Sequence, residues 1–341
     1  MEPSSTRTLG RTGLEVTCYG MGSAPMGDLW ERLPEARVEA TFAAAFDGGV
    51  RYFDTAPWYG NTLAEHRLGH FLRRRDDTFA VSTKVGRVYR RPKTPDEQPI
   101  GPWAGGLPFI LRFDYGYDAV MRSYEDSLQR LGLPRVDLLV IHDIDIQYHG
   151  DDAGIERCFE QLDQGGGIRA LEELKASGDI KGFGAGINEG PMITRFLDRF
   201  DLDFFLVAMP YTLVDQAPLD DAFPRCAAKN VGIIIGSPYA SGILATGPVE
   251  GAKYNYSPAS AEVLAKVRGI QDVCRRYDVP LQAAALQFPL GHPSVAAIIP
   301  GAVRAEEVEQ NLSYFRKEIP ADCWAELKAE GLLREDAPVP G

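Results

Sequence analysis

The apolar positions of this chain fall into short runs, separated by longer segments in which apolar residues return every three or four places. Runs at 16–19, 51–53, 79–83, 138–141, 180–184, 204–208, 232–235 and 296–299 have the length and the β-branched or aromatic content of strands. The stretches 34–47, 63–74, 117–131, 168–177 and 259–277 repeat with the helical period. Eight strands alternating with helices predict a parallel sheet, and eight is the number that closes a (β/α)8 TIM barrel. Ahead of them, "RTLGRTGLEVT" places a Gly-Arg-Thr-Gly turn between two short β runs, which predicts an N-terminal hairpin plugging the barrel's bottom.

The long interval 86–116 follows the third strand and carries no clear period. Loops of that length commonly serve as lids or binding loops, and this one leaves the end of the barrel where sites are built. Trp103, Phe109 and Phe113 favour an ordered cover. No linker composition divides the chain, so residues 1–341 read as one barrel domain.

The competing architecture is a doubly wound dinucleotide fold, which needs G-x-G-x-x-G between its first strand and helix. "GMGSAP" has Gly20 and Gly22 but Pro25 near the third place, and "GFGAGIN" spaces Gly182, Gly184 and Gly186 wrongly. Both candidates fail, which leaves the barrel.

Composition narrows the function classes. A formal net charge of -12 argues against a nucleic-acid partner, which calls for a concentrated basic surface. The densest basic run, Arg73-Arg74-Arg75, is answered at once by Asp76-Asp77 and reads as a solvated helix end. The five cysteines lack C-x-x-C spacing and the five histidines lack H-x-x-H or H-E-x-x-H spacing. A disulfide framework and a metal site are therefore unsupported. With no apolar run near the ~20 residues of a membrane span, a soluble cytoplasmic protein is expected, its partner a small molecule.

Polar residues gather where the predicted strands end. Strand two runs into Asp54, with Tyr59 beyond it in "DTAPWYG"; strand three runs into Lys84 in "STKVG"; strand four runs into His142 in "LVIHD". A lysine and a histidine closing apolar strands are costly there without partners. Together the four residues suit hydride transfer at a carbonyl. A tyrosine exchanges the proton, a lysine lowers its pKa from near ~10, a carboxylate keeps the lysine charged, and a neutral imidazole orients the substrate oxygen.

These segments, with the closing "IIPGAVRAEEVEQN", resemble the signature segments of the aldo-keto reductase superfamily over about residues 7–312. The resemblance implies Tyr59, Asp54, Lys84 and His142 as a catalytic tetrad, and a nicotinamide dinucleotide held without a Rossmann fold. It places Asn188 at the carboxamide and Ser237, Gly242 and Leu244 along the pyrophosphate. Gln310 and Asn311 fall near the adenine, with Gly22, Gly301 and Glu307 also on the cofactor.

Some positions depart from that pattern. Where NADPH-using members carry a lysine-serine pair and then an arginine, this chain has Gly301, Ala302 and Glu307, with Glu306 alongside. Carboxylates repel a 2'-phosphate and accept hydrogen bonds from a ribose diol, so NAD is expected over NADP, with Arg304 the counter-argument. The strand-six glutamine and strand-seven aromatic that clamp the nicotinamide ring are replaced by Ala208 and Gly236.

"HDIDIQYHG", "PYTLVDQAPLD" and "YASGILATGP" resemble NAD-linked aldose 1-dehydrogenases acting on L-fucose, L-galactose and D-threo-aldoses, with pyridoxal 4-dehydrogenase as a relative. That implies oxidation of an aldose at C1 to the lactone. Trp30, Trp58, Trp103 and Tyr148 are the expected aromatic walls, and Asp143 and Asp28 the expected readers of hydroxyls. An NADPH-dependent carbonyl reductase and a non-catalytic cofactor-binding subunit are the other readings.

Overall fold

The computed structural model describes residues 1–75 and 79–341; Asp76 and Asp77 of the basic-acidic pair lie outside the described residues. Eight parallel strands form the central sheet: Met21–Gly22, Tyr52–Asp54, Ala80–Val85, Leu138–His142, Gly182–Ile187, Phe204–Val207, Gly232–Ile235 and Val295–Ile298. The edges meet through Gly20 N to Ile298 O at 2.8 Å and Ile298 N to Cys18 O at 2.9 Å, which closes the barrel.

The first strand is a correction. The run at 16–19 splits, Glu15–Thr17 pairing antiparallel with Thr6–Thr8, while the barrel strand begins only at Met21. Val16 points inward with the hairpin, so its apolar character marked the plug. Leu9 and Val16 join Tyr52, Leu138, Val140, Phe204, Leu206 and Ile234 in one buried cluster inside the barrel. A larger cluster fills the layer between strands and outer helices. This agrees with the expected hairpin plug.

Strands two to five reach further toward the C-terminal rim than the apolar runs imply, because polar Asp54, Lys84 and His142 and small Gly186 continue the pairing. The register sets Asp54 opposite Ser82, Lys84 opposite Val140 and His142 opposite Gly186.

The interval 86–116 is built rather than irregular. Arg87–Arg90 pairs antiparallel with Ile110–Phe113. Gly86 turns the chain at φ +103°, and a Cβ there would stand 2.0 Å from the Tyr115 ring, so only glycine fits. Between the two strands, Ala104 N donates to Asp28 O at 2.9 Å and Leu107 N to Gly60 O at 2.9 Å, drawing the loop across the barrel mouth. The helix Leu63–Leu72 is capped at Arg73, which agrees with the basic run as a helix end. Among the described residues no helix is long and apolar enough to cross a membrane.

Candidate functional site

Strand-end register brings the four polar residues onto one floor. Lys84 Nζ lies 2.5 Å from Asp54 Oδ2 and donates to Thr55 O at 2.8 Å, while Ser82 Oγ donates to Asp54 Oδ1 at 2.7 Å. Both members of the pair are almost fully enclosed. Burial pushes the Asp54 carboxyl up and the Lys84 ammonium down, and their attraction across 2.5 Å works against both shifts.

The Lys84 ammonium sits over the Tyr59 ring, 4.8 Å from its centroid. Tyr59 stands edge-on to His142, with centroids 5.9 Å apart. The turn that carries Tyr59 is held by Tyr59 N to Ala56 O at 3.1 Å and Thr62 N to Pro57 O at 2.7 Å. Burial pushes the Tyr59 phenol well above its ordinary range; Asp54, Asp143 and Tyr256 add to this, and Arg87 opposes it.

His142 is held well below its usual range, first by burial and then by Arg87 and Lys84, so the imidazole is neutral. A histidine whose folded pKa is depressed binds fewer protons than the unfolded chain below pH ~6.5, so stability falls as pH falls through that value. The difference in unfolding free energy between wild type and His142→Asn, read by urea denaturation, should drop by about 1.4 kcal/mol per pH unit below pH ~6.5. A flat difference would mean the imidazole protonates freely.

Above this floor opens a cavity of about 440 Å³. Tyr59, Lys84 and His142 line it, and so do all four expected aromatics, Trp30, Trp58, Trp103 and Tyr148. Trp58 meets Trp103 edge-on at 5.4 Å, so the loop after strand three supplies one wall. The two expected hydroxyl readers separate. Asp143 lines the cavity, whereas Asp28 is buried away from it against Arg67 Nη1 at 2.5 Å and Leu33 N at 3.0 Å.

Sequence reasoning missed three neighbours. Tyr256 reaches the cavity from the segment after strand seven. Arg87 is enclosed behind Trp58 and Tyr148, its guanidinium 5.1 and 4.8 Å from their rings. Asp145 accepts from Asn188 Nδ2 at 3.0 Å, from Asn188 N at 3.1 Å and from Glu189 N at 3.1 Å. Burial and then Asp143 push the Asp145 carboxyl up to about 7. No local pattern distinguishes these residues; each is recruited from a separate loop.

Of the expected cofactor residues, only Asn188 faces this cavity. The rest follow strands one, seven and eight, which are adjacent in the closed barrel, and so form a belt along the neighbouring rim. Tyr239 Oη donates to Asn311 Oδ1 at 2.6 Å, tying the Ser237–Leu244 segment to the last one. Ala240, Ser241 and Gly242 all adopt positive φ, and the turn is closed by Ala240 N to Ser237 O at 2.9 Å and Gly242 N to Tyr239 O at 2.9 Å. Beside Gly242 there is open space where a Cβ would stand, which leaves room for a ligand to approach the backbone there. Leu244 is wholly in the core and can offer only its backbone. Gly22 and Gly301 are demanded by packing: a Cβ would lie 2.9 Å from Ile299 O and 2.8 Å from Pro25 Cγ respectively. Gln310 Nε2 donates to Tyr314 Oη at 2.8 Å. Glu307 accepts from Val303 N at 2.8 Å and from Arg304 Nε at 2.9 Å. A Cβ on Gly236 would come within 3.0 Å of Leu206 Cδ2 and 3.4 Å of Ala208 Cα, so the two small residues pack on each other.

Comparison with known proteins bears on this site. The family model described as aldo/keto reductase family matches residues 19–330. Pyridoxal 4-dehydrogenase of Microbacterium luteolum is 42% identical, the match covering 98% of this chain and 99% of that protein. D-threo-aldose 1-dehydrogenase of a Pseudomonas species is 37% identical over 94% and 96%. Among solved structures, an aldo-keto reductase from Bacillus halodurans superposes with a TM-score of 0.73 at 24% identity, covering 99% of this chain and 98% of the other.

Proposed function

The chain belongs to the aldo/keto reductase family, and on that premise we propose that it oxidises a cyclic hemiacetal, an aldose at C1 or pyridoxal, to the lactone with NAD. It is an oxidoreductase of a family that uses nicotinamide cofactors. The two whole-length relatives are named for pyridoxal and for a D-threo-aldose. Those substrates share one reactive group, because each closes on its own hydroxyl to give a ring carbon bearing both oxygen atoms and a removable hydrogen.

The observation that carries the reading is the buried Lys84–Asp54 pair beneath Tyr59, with neutral His142 on the other side of the phenol. His142 orients the anomeric hydroxyl, and Tyr59 Oη takes its proton as the carbon–hydrogen bond breaks. Lys84, held by Asp54, stabilises the phenolate against the low-dielectric surroundings. The nicotinamide cofactor supplies the hydride acceptor and, when oxidised, a positive charge that favours the phenolate. Asn188 and the belt after strands seven and eight would hold it, and the cavity aromatics would stack on the apolar face of the ring substrate.

NAD is favoured over NADP because Glu307 engages Arg304 and the neighbouring backbone where a 2'-phosphate would need free cations. The whole chain acting as one barrel domain, and a cytoplasmic location, belong to the same reading. The test is a panel of aldoses, pyridoxal and simple alcohols with NAD and with NADP, following reduced-cofactor absorbance. Lactone formation with NAD, at kcat/KM about tenfold or more above NADP, is expected. A clear NADP preference with carbonyl reduction would replace this reading with a carbonyl reductase, and cofactor binding with no turnover would replace it with a non-catalytic subunit.

A further inference from the structure

Asp143 is the point where several otherwise separate groups meet. Its Oδ2 accepts from Arg87 Nη1 at 2.9 Å and lies 3.2 Å from His142 Nε2; its Oδ1 accepts from Asn188 Nδ2 at 3.0 Å. It lines the cavity, and its backbone sits at φ +50°, a conformation that few non-glycine residues adopt without compensation. Arg87, side chain 1% exposed, is paired with Asp143, and its Nε and Nη2 have no hydrogen-bond partner. A fully buried guanidinium with one carboxylate contact is costly unless that contact is itself required. The aromatic faces of Trp58, Phe113 and Tyr148 enclose it at 4.8–5.1 Å, so it is braced in place and kept from the cavity.

His142 Nε2 stands 3.2 Å from Asp143 Oδ2 and makes no hydrogen bond to it, so that nitrogen stays available to a substrate oxygen, while the buried Nδ1 has no partner. A carboxylate has about four lone-pair directions. Arg87 engages one on Oδ2 and Asn188 one on Oδ1, which leaves acceptor capacity for a ligand in the cavity.

We infer that Asp143, braced by Arg87, selects the substrate by its charge and donors: it accepts a hydrogen bond from a hydroxyl or a protonated ring nitrogen and rejects a substrate carrying an anion at that place. This deepens the reading under Proposed function and rests on it. An aldose meets the requirement through a hydroxyl and pyridoxal through its ring nitrogen. A carboxylate or phosphate would instead face the Asp143 charge inside a cavity that screens it poorly. Arg87 acts through Asp143 and is a positioning residue.

The test compares D-galactose with D-galacturonate, which differ by the anion, by titration calorimetry with ADP-ribose in place of the dinucleotide, so that no hydride can be transferred in either direction. Wild type should bind the member without the added anion at least about tenfold more tightly. Asp143→Asn, which keeps the volume and removes the charge, should shrink that ratio to about threefold or less. The inference is overturned if wild type binds the anionic member as well, if the ratio survives in Asp143→Asn, or if wild type binds neither sugar. Failure of the proposed reaction reads out differently, as ligand bound by wild type without NADH formation in the turnover assay.

Discussion

Tyr59→Phe should cut kcat by about three orders of magnitude and leave cofactor affinity unchanged, because it removes one oxygen at the floor of the cavity and no packing. Asp54 and Lys84 are tied to each other and to Ser82 and Thr55, whereas the phenol oxygen has no hydrogen-bond partner among the described residues. Its ring is held between the Lys84 ammonium and Trp103, whose centroid is 6.1 Å away, and the phenylalanine ring keeps both contacts. The loss should therefore appear in kcat with the melting temperature unchanged. Stopped-flow hydride transfer and cofactor fluorescence titration on the same preparation separate the two effects. Turnover within about tenfold of wild type would move the proton transfer to another group.

Lys84→Met should destabilise the fold by about 3–5 kcal/mol, the largest single-residue effect expected on stability, because it strands a buried carboxylate. Asp54 keeps only the Ser82 hydroxyl at 2.7 Å when the ammonium at 2.5 Å is removed. The pH dependence follows with a definite sign. An unpaired buried carboxyl has a folded pKa above its unfolded value, so the folded state holds the extra proton and stability rises as pH falls toward the unfolded pKa. Wild type carries the same upward push from burial, but Lys84 opposes it, so its slope should be smaller. Urea denaturation of Lys84→Met at pH 8 and pH 5 measures the sign. The double variant Asp54→Asn/Lys84→Met should recover much of the loss, since no charge is left buried. A double variant as unstable as the single one would place the cost in packing rather than in the stranded charge.

The strand ends explain why so much of this site was legible. In a parallel barrel every strand is apolar along its length and terminates on the same face. An acid, a lysine and a histidine at three consecutive strand ends are therefore neighbours by topology, before any distance is known. Asp54, Lys84 and His142 were placed by that logic, and Tyr59 by the short turn that follows Asp54. The aromatics Trp30, Trp58, Trp103 and Tyr148 were legible for a related reason, since each lies on a loop leaving that same face.

Other features were hidden because they depend on which side chains meet across loops. The 16–19 run predicts a barrel strand because an apolar β run looks alike in a plug and in a wall; only pairing with Thr6–Thr8 distinguishes them. The interval 86–116 lacks a clear period because Arg87–Arg90 and Ile110–Phe113 are short strands of a cover, the first buried at its start, the second partly exposed, and both carrying arginine. Asp28 and Asp143 looked equivalent as carboxylates near strand ends. Arg67 takes one out of the cavity and Arg87 braces the other within reach of it.

By itself the sequence determined the barrel, its plug, the family and the four floor residues, because strand period and strand-end position are local properties that the fold's symmetry converts into proximity. Only the tertiary structure decided the electrical state of that floor. The phenol is held protonated, the imidazole neutral, and Asp143 tied to a buried arginine, because burial and the direction of each neighbouring charge arise from contacts between residues far apart in the chain.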